Sequence, residues 1–127
     1  MGGFPMFSFF GKARAFSGQQ YRDDIKDLCQ QILAYTTGLK AALMAASEIS
    51  ITSPVFMCVN RIESETYQIM SALATKRGQA LMIAACQNIN THVRQLEQEI
   101  PLGLYFSEIG SIRTAANSIS RIIVQEL

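Results

Sequence analysis

Tryptophan is absent from this chain, histidine occurs once, and proline occurs three times. A single histidine leaves little room for imidazole chemistry, and a di-iron carboxylate site with two Glu-x-x-His motifs is excluded in that form. Charge is also sparse. Asp, Glu, Lys and Arg make up 17% of the 127 residues, against about 25% in an ordinary soluble domain. The formal net charge is +1, and no block of like charge occurs. The cations Lys40, Lys76, Arg77, Arg94, Arg113 and Arg121 are scattered, so no nucleic-acid partner is expected. Cys29, Cys58 and Cys86 are odd in number and widely spaced, which makes a poor disulfide framework and offers no metal-finger spacing. Each lies in an apolar helical stretch, so all three are read as core thiols in a reducing compartment. No uncharged apolar run approaches the ~18 residues of a membrane span. The richest stretch, residues 41–59, is broken by Glu48 and Pro54.

The 49% of hydrophobic residues is enough for one core. A chain of this length buries roughly two thirds of the surface its unfolded form exposes. The polar positions are filled largely by Ser, Thr, Gln and Asn. Such a surface is weakly hydrated. Either a partner covers part of it, or these residues are simply its neutral polar cover.

Residues 1–18 stand apart. Five of the seven phenylalanines fall here, at Phe4, Phe7, Phe9, Phe10 and Phe16. Lys12 and Arg14 are the only charged side chains before Arg22, and glycine and Pro5 punctuate the segment. It is read as an irregular or conditionally helical arm (1–18) ahead of a helical domain (19–127). No positively charged region precedes residues 1–10, so a secretory leader is not expected. Met1-Gly2-Gly3 matches the opening of a myristoylation signal, but Met6 stands where Ser or Thr is needed. Met6 is also an alternative first residue, which would make the residues before it an addition to the native chain.

From about Gln19 to Ser47 apolar residues recur at alternating spacings of four and three. They are Tyr21, Ile25, Leu28, Ile32, Tyr35, Leu39, Ala42, Ala46 and Ile49, the stripe of one helix face. Ser53-Pro54 reads as a helix start, with Ser53 as cap. The next stripe is Val55, Val59, Ile62, Thr66, Ile69 and Leu73. At Lys76-Arg77-Gly78 the pattern slips by one residue before Met82, Cys86, Ile89, Val93, Leu96 and Ile100. A turn is therefore expected near residues 75–79. The alternative is one helix spanning 54–100 and bending at Gly78. Pro101-Leu102-Gly103 closes the third helix. Ser107 is expected to cap a fourth, with Glu108 in its first turn and Ile109, Ile112, Ala116, Ile119 and Ile123 as its stripe. Four segments of similar length with short connections predict an all-α, antiparallel up-down-up-down four-helix bundle.

The aromatic arm is the main functional candidate. Phe4, Phe7, Phe9 and Phe10 with Lys12 and Arg14 suit a partner's groove, or a membrane surface contacted through residues 1–17. The plainer reading is that the arm folds back over one end of the bundle. Catalysis of the Ser-His-Asp kind would need His92 as its only base, and Asp occurs only at 23, 24 and 27. No phosphate-cradling glycine loop is present. Glu63 and Glu65 flank a core position and are read as facing water. Cys29 and Cys86 fall at similar heights in such a bundle with His92 nearby, but a metal site there lacks a fourth ligand.

His92 lies beside the core stripe in the string His92-Val93-Arg94-Gln95-Leu96. A bundle bearing one half-exposed histidine resembles histidine-phosphotransfer domains. The resemblance implies that His92 takes a phosphoryl group from an aspartyl phosphate on a response regulator. Those domains carry a Lys and a Gly just after the histidine, where this chain has Gln95 and Leu96. The plainer reading is an ordinary boundary histidine. The sequence is thus expected to encode a non-enzymatic, cofactor-free interaction module, an adaptor, assembly factor, chaperone or structural subunit. It is expected to be cytoplasmic, peripheral at a membrane if the arm binds lipid, with a protein partner or a second copy of itself. Peripheral membrane association and phosphotransfer at His92 are the alternatives.

Overall fold

Apolar residues spaced three and four apart wind into four helices: α1 (Phe10–Ala45), α2 (Pro54–Leu73), α3 (Gln79–Glu99) and α4 (Phe106–Glu126). The computed structural model describes residues 10–45, 54–75, 78–100 and 105–126, with the backbone alone for residues 10–19, 106 and 126. α1 packs against α2 and α4, and α3 packs against the same two, so the helices stand at the corners of a square. Cross-helix contacts fix their directions. Arg22 meets Leu73 while Lys40 meets Asn60, so α1 and α2 run oppositely. Cys58 meets Gln95 and Glu65 meets Asn88, which sets α2 against α3. Asn90 meets Asn117 and Glu97 meets Arg113, which sets α3 against α4. This is the antiparallel up-down-up-down bundle that the sequence predicts.

The buried stripes of α3 and α4 are the ones expected, each widened by one alanine, Ala85 and Ala115. In α2 the expected stripe is widened at its start by the buried Phe56 and Cys58, and at its end Ala72 is buried while Leu73 is half-buried. α1 departs further. Ile25, Ile32 and Leu39 are fully buried as expected, but Cys29, Thr36 and Leu43 occupy the other central positions. Leu28, Tyr35 and Ala42 are only half-buried. A helix with neighbours on two sides buries a sector wider than a two-position stripe, and the centre of that sector lies one residue further on. Ala46, Ile49 and Ser53 lie outside the described residues.

The turns give further corrections. α1 begins at Phe10, so residues 10–18 of the arm, expected to be irregular or conditionally helical, are helical and continuous with the first bundle helix. Residues 54–100 form two helices, as the slip in phase implies. α2 ends at Leu73, and Gly78 precedes α3 with φ −95° and ψ 3°. A Cβ built on Gly78 would lie 2.6 Å from both the Cβ and the carbonyl oxygen of Ala72, so a side chain has no room there. At the end of α3, Ile100 is extended (φ −89°, ψ 137°), the conformation that a following proline imposes. Ser107 does not cap α4. The helix starts one residue ahead of it, and the first helical hydrogen bond runs from the Ile109 N–H to the Tyr105 carbonyl at 3.0 Å. Tyr105 holds the cap position with φ 55°, while Glu108 sits in the first turn as expected.

Candidate functional site

α1 is 36 residues long, whereas the other helices have 20 or 21. At about 1.5 Å per residue it spans roughly 54 Å against their 30 Å. Arg22 reaches the end of α2, its Nη1 donating to the Leu73 carbonyl at 3.3 Å. Residues 10–21 stand ahead of that contact along the chain. Of the residues proposed for docking, Phe10, Lys12 and Arg14 belong to this leading stretch, and Phe4, Phe7 and Phe9 lie outside the described residues.

A groove of about 530 Å³ runs between α1 and α4. Leu28, Gln31 and Tyr35 form one wall; Ser107, Ser111 and Thr114 are among the small residues of the other. None of its lining residues is charged. Gly110 belongs to the α4 wall, and a Cβ added to it would meet nothing within 4 Å. Sequence reasoning missed this groove. Its trace is Ser107, Ser111, Thr114 and Ser118, which return at helical spacing to one face of α4 and read there only as neutral surface.

The three cysteines are free thiols buried in the core, as expected. Burial pushes the Cys29 thiol up to about 12, and the neighbouring Cys86 adds to the shift. Burial alone pushes Cys86 to about 12. Cys58 is raised as well, chiefly by burial; Arg61 opposes the shift and Glu99 reinforces it. Thiols held protonated in this way are weak nucleophiles and weak metal ligands at neutral pH. Among the described residues no three His, Cys, Asp or Glu side chains come close enough to hold a metal ion.

His92 is half-buried on α3, with its Nδ1 3.3 Å from the Gln95 Oε1. The same Gln95 oxygen accepts from the Cys58 thiol at 3.6 Å. Gln95 thereby ties the histidine to the α2–α3 seam.

Glu63 does not simply face water. Its Oε1 receives the Lys40 ammonium at 2.7 Å, and its Oε2 lies 3.2 Å from the hydroxyl of the fully buried Thr36. The side chains of Lys40 and Glu63 are 31% and 18% exposed, so this ion pair is largely withdrawn from solvent. The position beside the core stripe of α2 also faces α1, which the stripe alone does not reveal. Glu65 is half-buried and accepts from Asn88 Nδ2 at 3.3 Å. On the opposite seam, Asn90 Nδ2 donates to Asn117 Oδ1 at 3.0 Å, and Arg113 pairs with Glu97. These polar contacts join neighbouring helices and fix their register.

Among the described residues no helix is long and apolar enough to cross a membrane. Comparison with protein-family models, with curated proteins and with solved structures gives no match.

Proposed function

We propose that the chain is a non-enzymatic helical interaction module that docks onto a protein through its N-terminal extension. The observation that carries this reading is the length of α1. It is more than half again as long as the other helices, and its first turns follow directly on the phenylalanine-rich N-terminus. Helical hydrogen bonding along that stretch gives an aromatic-rich segment a ready scaffold for presenting side chains at turn spacing. The interior chemistry supports the same reading, because the thiols are held neutral and Glu63 is engaged with Lys40.

The test compares the wild-type chain with a variant carrying serine at Phe4, Phe7, Phe9 and Phe10. Both are used as baits in cell extract and in flotation with anionic liposomes. Protein capture by the wild type alone is expected. Flotation by the wild type alone would move the docking partner from protein to membrane, and equal behaviour in both assays would remove the extension from any docking role.

A second reading keeps His92 as a phosphoacceptor. It is favoured by the Gln95 contact: with Nδ1–H donating to Gln95 Oε1, Nε2 carries the lone pair. That nitrogen would attack the phosphorus of an aspartyl phosphate, forming the N–P bond as the carboxylate leaves. Phosphorylated response regulators should then label the wild type and not His92→Gln; no labelling of the wild type sinks this reading.

A further inference from the structure

We infer that Arg61, across the α2–α3 seam from His92, binds the phosphoryl group that the imidazole accepts, and that Gln95 holds the ring with Nε2 open to the donor. The inference rests on the reading of His92 as a phosphoacceptor and supplies the positive charge which that reading needs.

The register of the seam places the pair. Cys58 meets Gln95 and Glu65 meets Asn88, in an antiparallel pairing. Arg61 is three residues on from Cys58 and His92 is three back from Gln95, so the two stand level between those rungs. Spacings of three and four keep Cys58, Arg61 and Glu65 on one face of α2, and Asn88, His92 and Gln95 on one face of α3. Two further observations turn Arg61 toward the seam. It lines a hollow of about 180 Å³ between α2 and α3 together with Gln95, and its charge acts on the Cys58 thiol. Among the described residues it makes no hydrogen bond or ion pair, so its guanidinium is available to a ligand. Arg94 is nearer to His92 in sequence but belongs to the α3–α4 seam, where it lines a hollow with Arg113.

The ring is held from one side. Gln95 Oε1 lies 3.3 Å from His92 Nδ1 and accepts the Cys58 thiol at 3.6 Å. An amide oxygen can only accept, so the neutral ring carries its proton on Nδ1. Nε2 has no partner among the described residues and is not shut off from solvent. Packed helices lie about 8–10 Å apart, a gap that an arginine side chain spans, so oxygens carried on Nε2 come within reach of the guanidinium. The acids of this face are Glu65, one turn from Arg61 and engaged by Asn88 Nδ2 at 3.3 Å, and Glu99 at the Pro54 end of the hollow.

The same face offers a protein donor apolar footing. Met57 and Leu81 are 47% and 55% exposed. Met57 lines the hollow, and Leu81 precedes Asn88 by two turns on the same side of α3, so they flank the pair from either end. The donor that fits is a protein carrying a phosphoryl group on a carboxylate. Nε2 attacks phosphorus and the N–P bond forms. The P–O bond to the carboxylate breaks, and the carboxylate leaves with the electron pair. The Nδ1 proton stays on the ring, shared with Gln95, while Arg61 faces the phosphoryl oxygens.

Phosphoramidate, a small phosphoryl donor that releases ammonia, tests the site without its partner. The chain has one histidine, so the phosphohistidine signal and the ring nitrogen signals in NMR spectra all belong to His92. The wild type is expected to be phosphorylated on Nε2 at least about tenfold faster than N-acetylhistidine, and Arg61→Gln to lose that advantage. Nitrogen spectra at pH 8 should show the wild-type ring proton on Nδ1, and both tautomers in Gln95→Leu. Helix content by circular dichroism should be unchanged in either variant, because both side chains are exposed. A wild type no faster than N-acetylhistidine overturns the inference, as does Arg61→Gln reacting like the wild type, or a wild-type ring protonated on Nε2. Phosphorylated response regulators separate this inference from its parent. If they label wild type and Arg61→Gln alike, the phosphoacceptor reading stands and the role of Arg61 falls. An Arg61-dependent reaction with phosphoramidate and no labelling by response regulators supports the site and removes that donor.

Discussion

Replacing Gly78 by alanine puts a methyl group 2.6 Å from the Cβ and carbonyl oxygen of Ala72 and 3.0 Å from its carbonyl carbon. Two of these atoms are backbone at the end of α2, so no flexible side chain can swing away. The backbone of Gly78 itself, at φ −95°, is open to any residue, so the cost is steric rather than conformational. Overpacking of this kind costs about 1–3 kcal/mol. Loss of glycine's freedom in the unfolded chain returns about 0.4–1 kcal/mol. The net expectation is about 1–2 kcal/mol of destabilisation, a fall in Tm of roughly 4–10 °C. Gly38→Ala is the internal control. Gly38 lies within α1, exposed, with nothing within 4 Å of its Cβ site, so alanine should stabilise by about 0.5–1 kcal/mol. Urea titrations followed by circular dichroism should move the midpoint down for Gly78→Ala and up for Gly38→Ala, with the slope unchanged. The contrast in sign decides between two topologies. If residues 54–100 were one continuous helix, Gly78 would be an interior helix glycine and alanine would stabilise there too. A Gly78→Ala variant as stable as wild type, or more so, would refute the close turn and the two-helix reading with it.

Other perturbations follow from the core. Cys29 and Cys86 titrate near 12 in the folded chain against about 9.0 unperturbed, so their stabilisation is full below pH 9 and is lost as pH rises toward 12. Between those limits each thiol should remove up to about 1.4 kcal/mol per pH unit. Urea midpoints at pH 8 and 10 should therefore converge in the Cys29→Ala, Cys86→Ala double variant, and an unchanged pH slope would count against the shifted thiols. Glu63→Ala leaves the buried Thr36 hydroxyl with the Leu33 carbonyl alone and Lys40 without its carboxylate, at a cost of about 1–2 kcal/mol. A double-mutant cycle with Lys40→Ala should show coupling of up to about 1 kcal/mol; zero coupling would mean that the pair is not formed in solution. Ile89→Ala, at a fully buried position, should cost about 2–5 kcal/mol, whereas Tyr67→Ala, 59% exposed, should stay within about 0.5 kcal/mol in thermal melts.

The clarity of each stripe in the sequence tracks its surroundings. α3 and α4 are readable because Met82 to Ile100 and Ile109 to Ile123 place large aliphatic residues at nearly every buried position and polar residues between them. α1 is harder because its buried set includes Thr36 and Cys29, while the half-buried Leu28 and Tyr35 carry equal apolar weight. Periodicity finds the axis of an apolar sector only when the residues at its edges are polar. Here the edge toward α4 is lined by apolar side chains over a groove, and that rotates the apparent centre by one residue. The turn at Gly78 shows itself as a phase slip. Its cause, the close approach of Ala72, is a tertiary contact that no local pattern carries.

The same physics explains why the α1–α4 groove is nearly invisible in the sequence. Catalytic and metal sites announce themselves through residue types that are costly to bury. A groove is a relation between two faces, here residues 28–35 and 107–118, far apart in the chain. Each face alone reads as ordinary: Leu28 and Tyr35 look like core, and the serines of α4 look like surface. The phenylalanine cluster is legible because five such side chains in sixteen residues exceed what an isolated arm can shield from water. What it lacks locally is any acid, and the nearest acidic cluster begins only at Asp23, past Gly18.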